Sequence, residues 1–160
     1  MKTLESIVTT HPFVQTMKAE HLDLLCKNAT EMELEPGEII FRQGDPANRL
    51  FLIQSGQVAV EAHEGGRTVQ VQTLGANELL GWSWLFPPFS WNFQARALEP
   101  TRLIVLDGAH LLVTCEENHD FGYELMKRMA KIVINRLQTT RRRLIEERNR
   151  DKENEKQNAV

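Results

Sequence analysis

Five histidines (His11, His21, His63, His110 and His119), Cys26, Cys115 and a scatter of serines are the side chains of this sequence that most often do chemistry. Their spacing does not assemble them. No histidine has an acid four residues away, and no recognised metal-ligand pattern links the histidines and cysteines. Ser55 and Ser83 lack the context of a nucleophile elbow. Neither GxxxxGK[ST] nor GxGxxG occurs, so the two common phosphate-cradling loops are missing. The two cysteines read as buried thiols in a reducing compartment. The expectation is a protein that binds rather than catalyses.

Binding chemistry concentrates in one place. Leu74–Ala97, LGANELLGWSWLFPPFSWNFQARA, holds all three tryptophans (Trp82, Trp84, Trp91), three phenylalanines (Phe86, Phe89, Phe93) and Pro87-Pro88, in a chain that is only 7% aromatic. Such residues between two strand-like regions, where polar turn residues are usual, expect burial under a ligand, a partner or the protein itself. Indole and phenyl faces stack planar groups or hold cations.

The elements that position this segment follow from periodicity. Residues 12–27 place Phe13, Met17, Leu22, Leu25 and Cys26 at helical spacing behind Pro12, with a break near Lys18-Ala19. From about residue 29 to 107 come short apolar runs: Ile39-Ile40-Phe41, Leu50 to Ile53, Val58 to Val60, Val69 to Val71 and Thr101 to Leu106. Pro36-Gly37, Gly44-Asp45-Pro46, Ser55-Gly56 and Gly65-Gly66 punctuate them, the last as a tight hairpin turn. Short strands at this interval predict an antiparallel sandwich or barrel. Asp107 caps a short helix over Gly108 to about Glu116, and a longer helix runs from about Asn118 to the region of Arg148. In it Met126, Ala130, Val133, Leu137, Thr140 and Leu144 step by 4, 3, 4, 3, 4, a heptad seam for a homodimer.

Net charge is −3 but uneven. Residues 1–120 carry 8 Lys/Arg against 16 Asp/Glu, giving −8, and residues 121–160 carry 11 against 6, giving +5. Acids interleave with the bases in RRRLIEERNRDKENEK, as on a solvated helix with i,i+4 pairs. No membrane span or signal peptide is read, so the expected location is cytoplasmic, with no membrane partner and no nucleic-acid role. Salt-sensitive DNA binding through the basic tail is the minor alternative.

The run from Pro36 to Asp45, followed by Leu50 to Val58, resembles the cyclic-nucleotide-binding domain family, most closely its bacterial catabolite-activator type. Asn135 to Thr140 resembles the dimerising helix of that type. The resemblance covers about residues 10–145. It implies a mainly β fold with flanking helices: a prelude over 1–28, an antiparallel jelly-roll β-barrel over 29–107, and C-terminal helices over 108–146. Residues 147–160 are expected to form a disordered charged tail. The phosphate-binding cassette of that family falls on 78–97, opened by Leu80-Gly81. No helix-turn-helix is expected after the long helix.

In such cassettes a glutamate after the glycine holds the ribose and an arginine pairs with the cyclic phosphate. Here Trp82 stands in place of the glutamate and Trp91 in place of the arginine, followed by Asn92-Phe93. No arginine lies between Gly81 and Gln94, and Arg96 matches a different family arginine. A buried phosphate without its cation loses about 3–5 kcal/mol, two to three decades of affinity, so a cyclic-nucleotide cofactor is not expected. Two readings stay open. Trp82, Trp84, Trp91 and Phe93 line a pocket for an apolar or planar ligand oriented by Ser83 and Asn92, or they fill the pocket themselves. On the long helix, the resemblance puts Thr140 where the family contacts the base, with Arg141 in place of a serine and Arg136 one turn earlier. Both arginines read as a solvated face or as cations for an anionic ligand. The expected function is a stand-alone, dimeric regulatory module that senses a small ligand and signals through its C-terminal helix, or else a ligand-independent adaptor that docks a protein partner, or a cyclic-AMP-binding relative of the transcription regulators that acts without its own helix-turn-helix.

Overall fold

The computed structural model describes residues 3–159. The chain divides into two compact units, one ending at Tyr123 and the other beginning at Glu124. The first opens with helix α1 (Leu4–Val8), capped by the Thr3 hydroxyl, which the apolar spacing had not signalled. Pro12–Val14 forms a single 3-10 turn, and helix α2 (Ala19–Cys26) starts after Lys18, where the break was read. Phe13 and Leu25 are buried.

Eight strands follow: β1 (Thr30–Leu34), β2 (Ile39–Phe41), β3 (Arg49–Ser55), β4 (Gln57–Glu64), β5 (Arg67–Gly75), β6 (Leu79–Leu80), β7 (Gln94–Ala97) and β8 (Thr101–Asp107). All pairings are antiparallel, in two four-stranded sheets ordered β1-β8-β3-β6 and β2-β7-β4-β5. The sheets face each other as a jelly roll and do not close into the expected barrel. Among the described residues no strand of one sheet pairs with a strand of the other. Glu64 pairs with Arg67 across Gly65-Gly66, both at positive φ, which is the hairpin the dipeptide announced. Alternation along β4 and β7 sends Val58, Val60, Ala95 and Ala97 into the core between the sheets, with Phe41, Phe51 and Leu103.

Helix α3 (Gly108–Glu117) starts where Asp107 Oδ1 accepts from His110 N at 3.0 Å. Helix α4 (His119–Asn158) follows, with Asn118 Oδ1 accepting from Phe121 N. The helix continues to Asn158, so residues 147–158 are helical rather than a disordered tail. Nothing apolar supports that stretch. Oppositely charged residues three and four apart, such as Glu146 and Arg150, are the local stabilisers available, each worth about 0.2–0.5 kcal/mol. In the second unit Val133, Ile134, Leu137, Leu144 and Ile145 lie exposed along one stripe. Among the described residues no helix is long and apolar enough to cross a membrane.

Candidate functional site

The cassette is held at both ends by main-chain bonds. Leu79 and Leu80 pair with Leu52 and Phe51 of β3. Gly81 then turns at φ +99°, and a Cβ there would lie 2.7 Å from Cη2 of the Trp91 ring. Glycine is needed for both reasons. A 3-10 turn, Ser83–Leu85, follows, and Trp84 Nε1 donates to Gly81 O at 3.3 Å. The far limb is stitched to the β2–β3 loop: Ala47 N donates to Phe89 O, Trp91 N to Asp45 O and Gly44 N to Trp91 O, at 2.7–2.9 Å. The Gly44-Asp45-Pro46 turn is therefore a clamp as well as a break.

The three tryptophans have three different environments. Trp91 is 4% exposed and stacks on Phe41, ring centroids 3.8 Å apart at 12°. It also approaches Phe51 at 6.3 Å and Phe93 at 6.1 Å. It belongs to the inter-sheet core. Trp84 is 1% exposed, and a Cβ on Gly108 would touch its Cβ at 2.9 Å, so the first residue of α3 packs on it. Trp82 is only half-buried, tilted on half-buried Phe93 at 6.0 Å. Of the other residues singled out, Leu80 is fully buried and Asn92 is exposed at the surface. Ser83 is buried, and its Oγ has no hydrogen-bond partner among the described residues. Beyond these, Phe86 projects, 66% exposed.

Arg96 is committed elsewhere. Its neighbours Ala95 and Ala97 face the core, so Arg96 faces outward. Its Nε and Nη2 donate to Glu61 Oε1 and Oε2 at 3.1 and 2.8 Å, and Gln94 Nε2 adds a bond at 3.1 Å. The Arg96 hydrogen bonds hold the buried Glu61 carboxyl below its ordinary range, and Glu61 in turn raises Arg96. Sequence reasoning missed Glu61; the available signal was an acid directly after the apolar run Val58–Val60 of β4. It also missed Phe41 and Phe51 as the partners of Trp91.

On α4, Thr140 and Arg141 are exposed and Arg136 is half-buried. These three lie in the second unit, and the cassette lies in the first. Burial, then Glu5 and Asp23, push the Cys26 thiol up to about 11, and burial, then Glu116, raises Cys115, both away from the thiolate form. Among the described residues no group of three or more His, Cys, Asp or Glu could hold a metal ion.

A jelly roll of this strand order, with a clamped cassette between β6 and β7 and a long helix after it, defines the class of cyclic-nucleotide-type regulatory domains. Residues 31–118 match the model of the cyclic nucleotide-binding domain, and the chain belongs to that family. The cyclic AMP receptor protein of Thermus thermophilus is 31% identical over 96 residues, 59% of this chain and 44% of that protein. The chain spans less than half the length of each curated relative it matches. The crystal structure of the Thermus thermophilus catabolite activator protein superposes with a TM-score of 0.65 at 26% identity, covering 83% of this chain and 61% of that one. A cyclic nucleotide-binding domain from Methylobacillus flagellatus KT shares the fold at a TM-score of 0.74 and 19% identity, covering 88% and 80%.

Proposed function

We propose that this chain is a regulatory module of the family that works without a cyclic nucleotide, because Trp91 occupies the interior of its own cassette. The observation that carries this reading is the Trp91–Phe41 stack, closed off by Gly81 against the same ring. By the resemblance, Trp91 stands at the position of the phosphate arginine, so one substitution removes the cation and fills the space. Arg96 does not replace that cation, since Glu61 already holds it. The module is not an enzyme, and it operates in the cytoplasm as a homodimer. Its α4 stripe, with Leu137 68% and Leu144 59% exposed, gives a second copy an apolar seam to cover. Its output is the docking of a protein partner, modulated by that pairing.

A second reading has its own observation. Trp82 and Phe93 remain half-buried against each other, and Ser83, next to Trp82 in the chain, has a buried Oγ without a partner among the described residues. A small planar ligand on this rim would satisfy the hydroxyl and stack on the indole, at about 0.5–1.5 kcal/mol for the aromatic contact.

Thermal shift and tryptophan fluorescence across cyclic AMP, cyclic GMP and planar apolar metabolites separate the two. Indifference to every compound is expected from the first reading. A saturable shift with a planar compound, lost in Trp82→Ala, establishes the second and overturns the first.

A further inference from the structure

We infer that His11 is a proton-operated latch: the neutral ring ties the N-terminal segment to the strand that opens the cassette, and protonation releases residues 3–17 while the two sheets stay folded. The latch stands apart from both readings of the cassette. His11 is 4% exposed, at the N-cap of the Pro12–Val14 turn. Its Nδ1 accepts from Phe13 N at 3.1 Å, and its Nε2 lies 3.3 Å from Glu78 O. A main-chain N–H only donates and a carbonyl only accepts. One form of the ring fits both, the neutral one with its proton on Nε2. A second proton sits on Nδ1 and points at the Phe13 N–H. Two donors then face each other in a buried position, each without an acceptor, so the imidazolium cannot keep this place.

The carbonyl that holds the ring belongs to the junction of β3 with β6. Glu78 O also accepts from Ile53 N at 2.9 Å, and Asn77 N donates to Ile53 O at 3.0 Å. Leu79 and Leu80, which lead into Gly81 of the cassette, follow directly. On the side of the segment Val8, Phe13 and Val14 are buried, so release uncovers apolar surface. Burial lowers the His11 pKa, the Glu78 and Ile53 carbonyls oppose the shift, and no charged side chain is among its causes. The Glu78 carboxylate is taken up by Gly75 N, 2.6 Å from Oε2. Glu5 of α1 is raised by the hydrogen bond and the charge of Asp23 on α2, so falling pH strengthens that contact and opposes release. His21, the other buried histidine among the described residues, lies edge-on to the Phe121 ring. His11 is thus the group whose protonation loosens the segment.

Hydrogen exchange of the whole chain, read by mass spectrometry, tests the latch at about one pH unit on either side of the ordinary histidine value of about 6.5. Rates are corrected for the intrinsic pH dependence of exchange. Because the folded pKa is lowered, opening takes up a proton below the ordinary value. The opening constant then rises by at most about tenfold per pH unit until the folded value is passed. Peptides within residues 3–17 are expected to lose protection severalfold at the lower pH, with those of β3 and β8 unchanged. His11→Asn keeps an acceptor for the Phe13 N–H and does not titrate. It is expected to protect the segment equally at both pH values. Equal protection of residues 3–17 at both pH values in the wild type overturns the latch. Loss of β3 and β8 protection in step with the segment overturns it too, since the whole fold then opens. A His11→Asn chain that keeps the wild-type pH response assigns the proton to another group, and the inference falls.

Discussion

Replacing Trp91 with alanine removes the ring that closes the space between the sheets. The side chain is 96% buried and touches Phe41, Phe51 and Phe93, with Gly81 against its edge. An indole that buries on the order of 200 Å² contributes about 5 kcal/mol at 25 cal/mol per Å². Aromatic-to-alanine changes in packed cores cost about 3–5 kcal/mol, so about 4 kcal/mol is expected. For a chain of this length that lowers Tm by roughly 8–16 °C. Urea unfolding followed by far-UV circular dichroism, at fixed protein concentration because the proposed pairing would couple stability to it, measures it. The cavity has the shape of the group removed. Free indole at about ten times its Kd should restore about 1.4 kcal/mol to Trp91→Ala and nothing to wild type. Trp82→Ala, at a half-buried position, should cost less than half as much. A loss below about 1 kcal/mol at Trp91, or a larger loss at Trp82, would refute the claim that Trp91 is the plug.

Gly81→Ala meets both a φ of +99° and the Trp91 ring at 2.7 Å. It should destabilise by about 2–3 kcal/mol, and by clearly less in a Trp91→Leu background, which a double-mutant cycle reads directly. Arg96→Ala leaves the Glu61 carboxyl buried without its cation. Because the Arg96 side chain is 35% exposed, the loss at pH 7 should be about 1–3 kcal/mol rather than the full cost of a buried pair. The native Glu61 pKa is depressed, so its contribution is present above the ordinary carboxylate value of about 4.3 and lost as pH falls through the folded value. Arg96→Ala should flatten that acid limb in a pH series of urea midpoints. His11 is buried, its Nδ1 accepting from Phe13 N, and burial lowers its pKa. The unfolded chain therefore takes up the proton first. Stability is full above about pH 6.5 and declines below it until the folded value is passed. His11→Ala should be less stable at pH 8 and lose that slope.

Much of the fold was legible because local rules decided it. Gly65-Gly66 needs positive φ and became the β4–β5 turn, Asp107 capped α3, and Ile39 to Phe41 is β2. Leu79–Leu80 and Gln94–Ala97 were harder, since strands of two and four residues carry too little alternation to announce themselves. The cassette could be located from its glycine and its aromatics, but not resolved. Whether Trp82 or Trp91 turns inward depends on Phe41 and Phe51, which reach it only through long-range pairing. The Glu61–Arg96 pair has the same character, linking β4 to β7 across the sheet. The helical course of residues 147–158 is written only in the charge pattern, acids and bases three and four apart as on a solvated helix; the stretch has no apolar periodicity to mark where the helix ends.

Calorimetric titration of the wild-type chain with cyclic AMP and cyclic GMP bears most directly on the central claim. With Trp91 filling the cassette and Arg96 held by Glu61, Kd should be weaker than about 1 mM, corresponding to less than about 4.1 kcal/mol. Saturable binding at micromolar Kd, with Trp91 fluorescence shifting as the ring leaves Phe41, would contradict the account.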